Sequence, residues 1–187
     1  MKKIIWGALL TVLILTSVKS FAQFNYIGGG IALATGGEYV YKELPYYNKS
    51  FGIDLRASYD LNKKIKIVPD VKFYLPNKET LASGGESKTT VIVFNLNAHY
   101  IVNPRARNSY RLYLLAGAHV GGWNIIDNHV SLQGTVDVKE FKIVPGGNVG
   151  GGMQFKLGTR TQFFAEIKYV ISSANQLVFS PGILYNI

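Results

Sequence analysis

The chain contains no cysteine. That excludes disulfide staples, thiol catalysis and cysteine-ligated metals. Trp and Met are scarce, at two each, and only 6 of the 187 residues are Pro, too few for a proline-rich spacer. Carboxylates are in short supply: 11 Asp+Glu face 20 Lys+Arg. A basic excess raises nucleic acid as a partner, but the cations are scattered along the chain and form no Arg/Lys stripe, so no nucleic-acid partner is expected. No apolar run reaches the ~20 residues that carry a helix across a bilayer. The longest runs from Ile4 to Val18, behind Lys2 and Lys3 and ahead of Ser20, Phe21 and Ala22. A positive start, a short apolar stretch and small residues at the cleavage positions define a secretory signal peptide. Residues 1–22 are therefore expected to be removed, leaving 23–187 as a single domain. With no cysteine after the run, a lipid anchor is excluded.

What the chain does have is alternation. From Phe51 to Asp60, residues Phe51, Ile53, Leu55, Ala57 and Tyr59 fall on one face of a strand; Gly52, Asp54, Arg56, Ser58 and Asp60 fall on the other. The pattern recurs in at least six later segments. In the third strand Ile65, Ile67, Val71, Phe73 and Leu75 oppose Lys66, Asp70, Lys72 and Tyr74, and Pro69 on the apolar face suggests a bulge. Further strands run from about 90 to 101, 110 to 121, 138 to 157, 161 to 171 and 177 to 187, and a Gly-rich segment, Phe24 to Thr35, precedes them all. Eight such strands in series describe an all-β, antiparallel, up-and-down barrel. Connections at 62–64, 103–109 and 158–160 are short. Those at 36–48, 76–88 and 122–137 are longer, with a brief link at 172–176. Short turns at one end and long loops at the other are the habit of outer-membrane barrels, whose short turns are periplasmic.

Alternation alone fits a soluble barrel with an apolar lumen equally well. Two features favour the membrane. The polar face is rich in Gly, Ser and Asn, among them Gly52, Asn95, Asn97, Gly117, Asn148, Gly150 and Gly152, as the crowded lumen of eight strands requires. The apolar face sorts its aromatics by depth. Tyr59, Tyr100, Tyr110 and Tyr185 lie at the short-turn ends of their strands, whereas Phe51, Phe73, Tyr169 and Phe179 lie toward the other. Two rings of aromatics around an aliphatic band form an interfacial girdle.

On these strands, girdles and leader the chain resembles the small outer-membrane β-barrel family of the OmpA transmembrane domain and OmpX, and looks closest to the single-domain barrels of Bacteroidetes. The resemblance implies residence in the outer membrane of a Gram-negative cell, among outer-membrane lipid and lipopolysaccharide, and insertion by the barrel-assembly machinery. One departure is the C-terminus. The family often ends in Phe or Trp, whereas Tyr185 and Ile187 keep the outward alternation without a terminal aromatic.

The polar face carries the chemistry. Pairing the second and third strands across 62–64 sets Asp60 against Lys66, Arg56 against Asp70 and Asp54 against Lys72, three opposite-charge pairs. Glu166 and Lys168 fall beside Gly150 and Gly152, and join the same expected lumen network. It reads as a structural plug or, alternatively, as a charged gate in a narrow ion path. His99 and His119 face the lumen toward opposite ends and His129 sits in the longest loop, so no metal site and no catalytic cluster is expected. The glycines from Gly146 to Gly152 lie within a strand pattern and make no phosphate loop. Trp123, Ile125 and Ile126 are expected to anchor the outer rim in headgroups. The functional expectation is non-enzymatic, without cofactor: a structural or adhesion-type envelope protein acting through its extracellular loops. The alternatives are a PorT-like accessory of a secretion system or a narrow ion channel.

Overall fold

A computed structural model describes residues 24–36, 49–80, 86–104, 109–131 and 134–187, with the side chains at 49, 77–80, 86–87, 127–131 and 134–138 excepted. The expected signal peptide lies outside the described residues, as does most of the 36–48 connection. Eight strands follow in order: β1 (Tyr26–Gly36), β2 (Lys49–Asp60), β3 (Ile65–Thr80), β4 (Glu86–Ile101), β5 (Tyr110–Ser131), β6 (Gly134–Lys156), β7 (Thr161–Ser172) and β8 (Gln176–Asn186). Each pairs antiparallel with its sequence neighbours, and β8 pairs with β1 from Tyr26↔Asn186 to Gly36↔Gln176, closing the barrel. β1 ends at Gly36, whose φ of 100° lies in the left-handed region that glycine enters at least cost.

Both ends of the described chain lie together at the short-turn rim, where the Ile187 amide donates to the Asn25 carbonyl at 3.2 Å. This is the periplasmic end. At the β2–β3 turn the Asn62 side chain accepts from the Lys64 and Ile65 amides at 2.8 and 2.9 Å, an Asx turn that pins the register.

The residue distribution is inside out. Leu114 is 60% exposed and Phe94 58%, while Asp54 and Lys72 are at 0%. An exterior of Leu, Ile, Val and Phe on every strand is stable only in lipid, because in water each such side chain forgoes roughly 1.5–3 kcal/mol of burial. The eight aromatics assigned to the girdle all point outward, seven of them exposed and Tyr59 half-buried. In β1, ambiguous in sequence, Ile27, Ile31 and Leu33 face out and Ala32 and Ala34 face in.

Three expectations need correction. Pro69 introduces no shift: its register with β4 runs unbroken through Pro69↔Leu96. The irregularity lies between Tyr74 and Asn77, around Pro76. Second, 76–88 and 122–137 are not simply loops. β3 and β4 extend to pair Thr80 with Glu86, and β5 and β6, at 22 and 23 residues, pair in constant register up to Ser131↔Gly134. Third, Trp123 and Ile125 do not reach for headgroups. They point into the lumen at 2% and 3% exposure.

The last two errors share one cause. Thr90, Gly122 and Asn124 point outward while Val91, Trp123 and Ile125 point inward, so near the outer rim the sense of alternation reverses. Above the lipid the exterior must be polar and the interior apolar, as in a water-soluble sheet. A pattern read as apolar-out loses the strand at that line.

Closure leaves no strand edge within the bilayer, and detergent gains no entry. The mature protein in SDS is expected to migrate differently before and after boiling. Identical migration of the two samples would contradict the closed barrel.

Candidate functional site

The lumen is filled in layers that follow the dyad of each strand. At mid-height the register places Asp54 opposite Lys72 and Arg56 opposite Asp70, with Gly150 opposite Lys168 and Gly152 opposite Glu166. All six charged side chains are buried. Arg56 does not bond Asp70, its cross-strand neighbour. Its guanidinium donates to Asp54, two residues along β2, and to Glu166 Oε2 across the lumen at 2.9 Å. The same group lies 3.9 Å from the centre of the Phe164 ring.

Asp70 is instead the hub of the other half. Lys72 Nζ approaches its Oδ1 at 3.2 Å and Lys168 Nζ its Oδ2 at 3.3 Å. Asn95 and Asn97 donate to the same two oxygens at 2.6 and 2.8 Å. Lys72 links the halves by a 2.5 Å contact with Asp54. Three cations thus meet three carboxylates, and the centre carries no net charge. That balance makes burial tolerable: each ion removed from water costs several kcal/mol, and only close, hydrogen-bonded counter-charges offset it.

Neutral groups complete the network. Asn148 donates to Asn95 and Asn97, each at 2.9 Å, and His119 Nδ1 lies 2.9 Å from Asn95 Oδ1. The Tyr113 hydroxyl donates to Glu166 Oε2 at 3.0 Å, and His99 stacks on Tyr113 with 4.3 Å between ring centres. Glycine makes the room: a Cβ on Gly152 would stand 2.5 Å from the Tyr113 hydroxyl, and one on Gly182 2.6 Å from the Phe164 ring. Nearer the periplasm Lys66 pairs with Asp60 at 3.1 Å. Toward the outside an apolar cluster of Tyr74, Val91, Val93, Trp123, Val144 and Val178, with small neighbours, caps the charged layer.

Sequence reasoning placed the eight charged residues on the lumen face but missed the partners that join them. Asn95, Asn97, Tyr113, Asn148 and both lumen histidines were visible only as inward positions, because their contacts cross the lumen between strands far apart in sequence. The apolar cap went unseen for the reason that hid the end of β5. The His129 and Ser131 side chains lie outside the described residues.

A second feature lies above the barrel. β7 stops at Ser172, opposite Gly146. From Gly134 to Pro145, β6 therefore pairs with β5 on one side and, among the described residues, with no strand on the other. The phase is readable. The Lys156 amide donates to Ser109 on the β5 side and the Leu157 amide to Thr161 on the β7 side, and the β5–β6 register does not slip. Even-numbered residues of β6 thus direct their N–H and C=O toward β5 and odd-numbered ones toward the open edge. Pro145, odd-numbered and without an N–H, stands where that edge begins, while Lys139, Glu140 and Lys142 bring charge to it. Phe141 and Ile143, on the outer face, are each 66% exposed.

A closed eight-stranded barrel with a lipid-facing exterior and a plugged, charge-balanced lumen is a transmembrane barrel of the bacterial outer-membrane class. No family model matches the chain, and no curated protein matches it. Solved structures do. Neisserial surface protein A is similar at a TM-score of 0.57 and 15% identity, covering 88% of this chain and 96% of its own. OprG of Pseudomonas aeruginosa gives 0.60 and 9%, with coverage of 88% and 96%. Ail, the attachment invasion locus protein of Yersinia pestis, gives 0.55 and 14%, with coverage of 88% and 97%. At such identities the likeness is one of fold.

The contacts reassign the ion pairs and so predict the mutants. Arg56→Ala leaves Glu166 without its cation and Asp54 with Lys72 alone, and is expected to lower unfolding stability by about 3–5 kcal/mol. Arg56→Met with Glu166→Gln should recover much of that, whereas exchanging the charges of Arg56 and Asp70 should recover none, since it sets a carboxylate beside Asp54 and Glu166. Denaturant titration in lipid vesicles distinguishes these outcomes.

Proposed function

We propose that this chain is a non-enzymatic outer-membrane protein that presents a rigid β-surface outside the cell, its lumen serving only as a structural plug. The observation that carries the reading is the open β6 edge from Gly134 to Pro145. Unpaired N–H and C=O groups in a row are a template for one more strand. The partner that fits is an extended segment of another protein, held by main-chain hydrogen bonds, with Phe141 and Ile143 offering apolar contacts beside it. Attachment and surface presentation are the roles that the names of Ail and the Neisserial protein carry, and they agree with this reading. His119 Nδ1 meets Asn95 Oδ1 and the His99 ring is stacked on Tyr113 within the packed lumen, which favours a structural over a catalytic interior.

Lys139 provides the test. Its N–H points to the open edge and its side chain is exposed, so Lys139→Pro removes one edge donor and leaves the β5 ladder whole. Cells displaying Lys139→Pro are expected to lose adhesion to protein-coated or cellular surfaces, cells displaying Lys139→Ala to retain it, and both variants to keep the gel shift on boiling. Equal adhesion by the proline and alanine variants would overturn the edge as the working surface.

The plug makes a second prediction. Purified protein in planar bilayers should give no reproducible single-channel steps, because the apolar cap over a neutral, bonded charge layer offers an ion no hydrated path. Steps whose conductance changes with Arg56 or Lys72 substitution would favour an ion channel instead.

A further inference from the structure

The periplasmic mouth of the barrel is built differently from the rest of the lumen. Asp60, Asn62, Lys63, Lys66, Pro104 and Arg111 line a recess of about 450 Å³ between the β2–β3 turn and the start of β5. Among the described residues three cations meet one carboxylate there, in contrast to the three-against-three balance at mid-height. Lys66 is the telling residue. Its side chain is 3% exposed, and although Asp60 lies at ion-pair distance, 3.1 Å, its ammonium has no aligned hydrogen-bond acceptor. The Tyr26 ring, 4.8 Å away, adds a π face and no lone pair, and the Tyr26 hydroxyl is engaged by Gln162.

A buried ammonium with three N–H donors and no aligned acceptor is an expensive arrangement unless an oxyanion completes it. Lys63 stands exposed in the turn and Arg111 half-buried at the foot of β5, where each can turn toward the same recess. One carboxylate satisfies one of three cations. The remaining charge and donor set match a group with two or three anionic oxygens, to which Arg presents a planar fork and Lys a point charge.

From this geometry we propose that the periplasmic recess binds a phosphate group. The outward tyrosines Tyr59, Tyr100 and Tyr110 lie at this rim, and such rings sit at headgroup level. The phosphate of an inner-leaflet lipid can therefore reach the recess as readily as a free phosphate, and the two share the chemistry that Lys63, Lys66 and Arg111 recognise. Occupation ties the β2–β3 turn to β5 across Pro104, at the end where short turns leave the barrel little else to hold them.

The experiment titrates the mature barrel, folded in a phosphate-free non-ionic detergent, with inorganic phosphate and separately with short-chain phosphatidylglycerol, reading heat by calorimetry. Saturable binding of either probe is expected, weakened about tenfold or more by Lys63→Gln with Arg111→Gln, since two charge-assisted contacts are lost. It should be unchanged by Arg160→Gln, which removes a cation from the neighbouring β6–β7 turn. Binding of phosphate but not lipid assigns the free anion as the ligand; binding of lipid but not phosphate assigns the headgroup. No saturable binding of either probe, or equal weakening by Arg160→Gln, would overturn the proposal. Both glutamine variants replace groups outside the buried network, so the gel shift on boiling verifies that they fold.

Discussion

A backbone in hydrocarbon has nowhere to place an unmet N–H or C=O, and that constraint generates the rest of this molecule. Eight strands satisfy it only by closing, with β8 returning to β1. Closure at eight strands leaves an interior just wide enough for side chains to fill. Whatever faces inward must then find its counter-charge within that narrow space. The result is a core whose cohesion is ionic: three cations and three carboxylates, bridged by Asn95, Asn97 and Asn148, stand where a soluble barrel has aliphatic packing. The glycines on β6 follow from the same narrowness, since Gly150 makes way for Lys168 of β7 and Gly152 for the Tyr113 side chain of β5.

Within the bilayer almost all of this was legible in the sequence. The period of two assigned faces, the turn at Asn62 assigned the register, and the opposed charges of β2 and β3 fell where the pairing puts them. What the sequence did not show is which oppositely charged groups bond. Arg56 and Asp70 are register partners, yet the long Arg56 side chain leans to Glu166, and Asp70 takes Lys72 and Lys168. Register is a property of the backbone and is written locally. Partner choice depends on reach across the lumen, and Lys168 of β7 lies 98 residues beyond Asp70 of β3 in the chain.

The outer rim was legible for a different reason only after the fold was known. A strand leaving lipid for water must exchange the chemistry of its two faces while keeping its period. Along β5, outward Leu112, Leu114 and Val120 give way to outward Asn124, and inward Tyr113 and His119 to inward Trp123 and Ile125. Read with one fixed assignment of faces, that change looks like the end of a strand. Read as a change of solvent, it marks the membrane boundary on two neighbours, since Thr90 of β4 pairs with Asn124. On β6 the exterior stays apolar through Phe141, which pairs with Asn124 on its other side.

Among the described residues no strand covers the β7 side of β6 beyond Gly146, and that follows from the same constraint that closes the barrel. Inside lipid an unpaired edge is prohibitive; above it, water meets each free N–H and C=O at little cost. β7 can therefore stop at Ser172 while β5 and β6 run on. The extension needs its own core once it leaves the lipid, and the inward turn of Trp123, Ile125 and Val144 supplies one, continuous with the cap on the charged layer. Seal and support are thus one cluster. A strand held on such a base loses less conformational freedom than a loop when a partner adds to it, which is the condition that the proposed strand addition needs. The charges at Lys139, Glu140 and Lys142 and the proline at 145 oppose indiscriminate stacking on that edge.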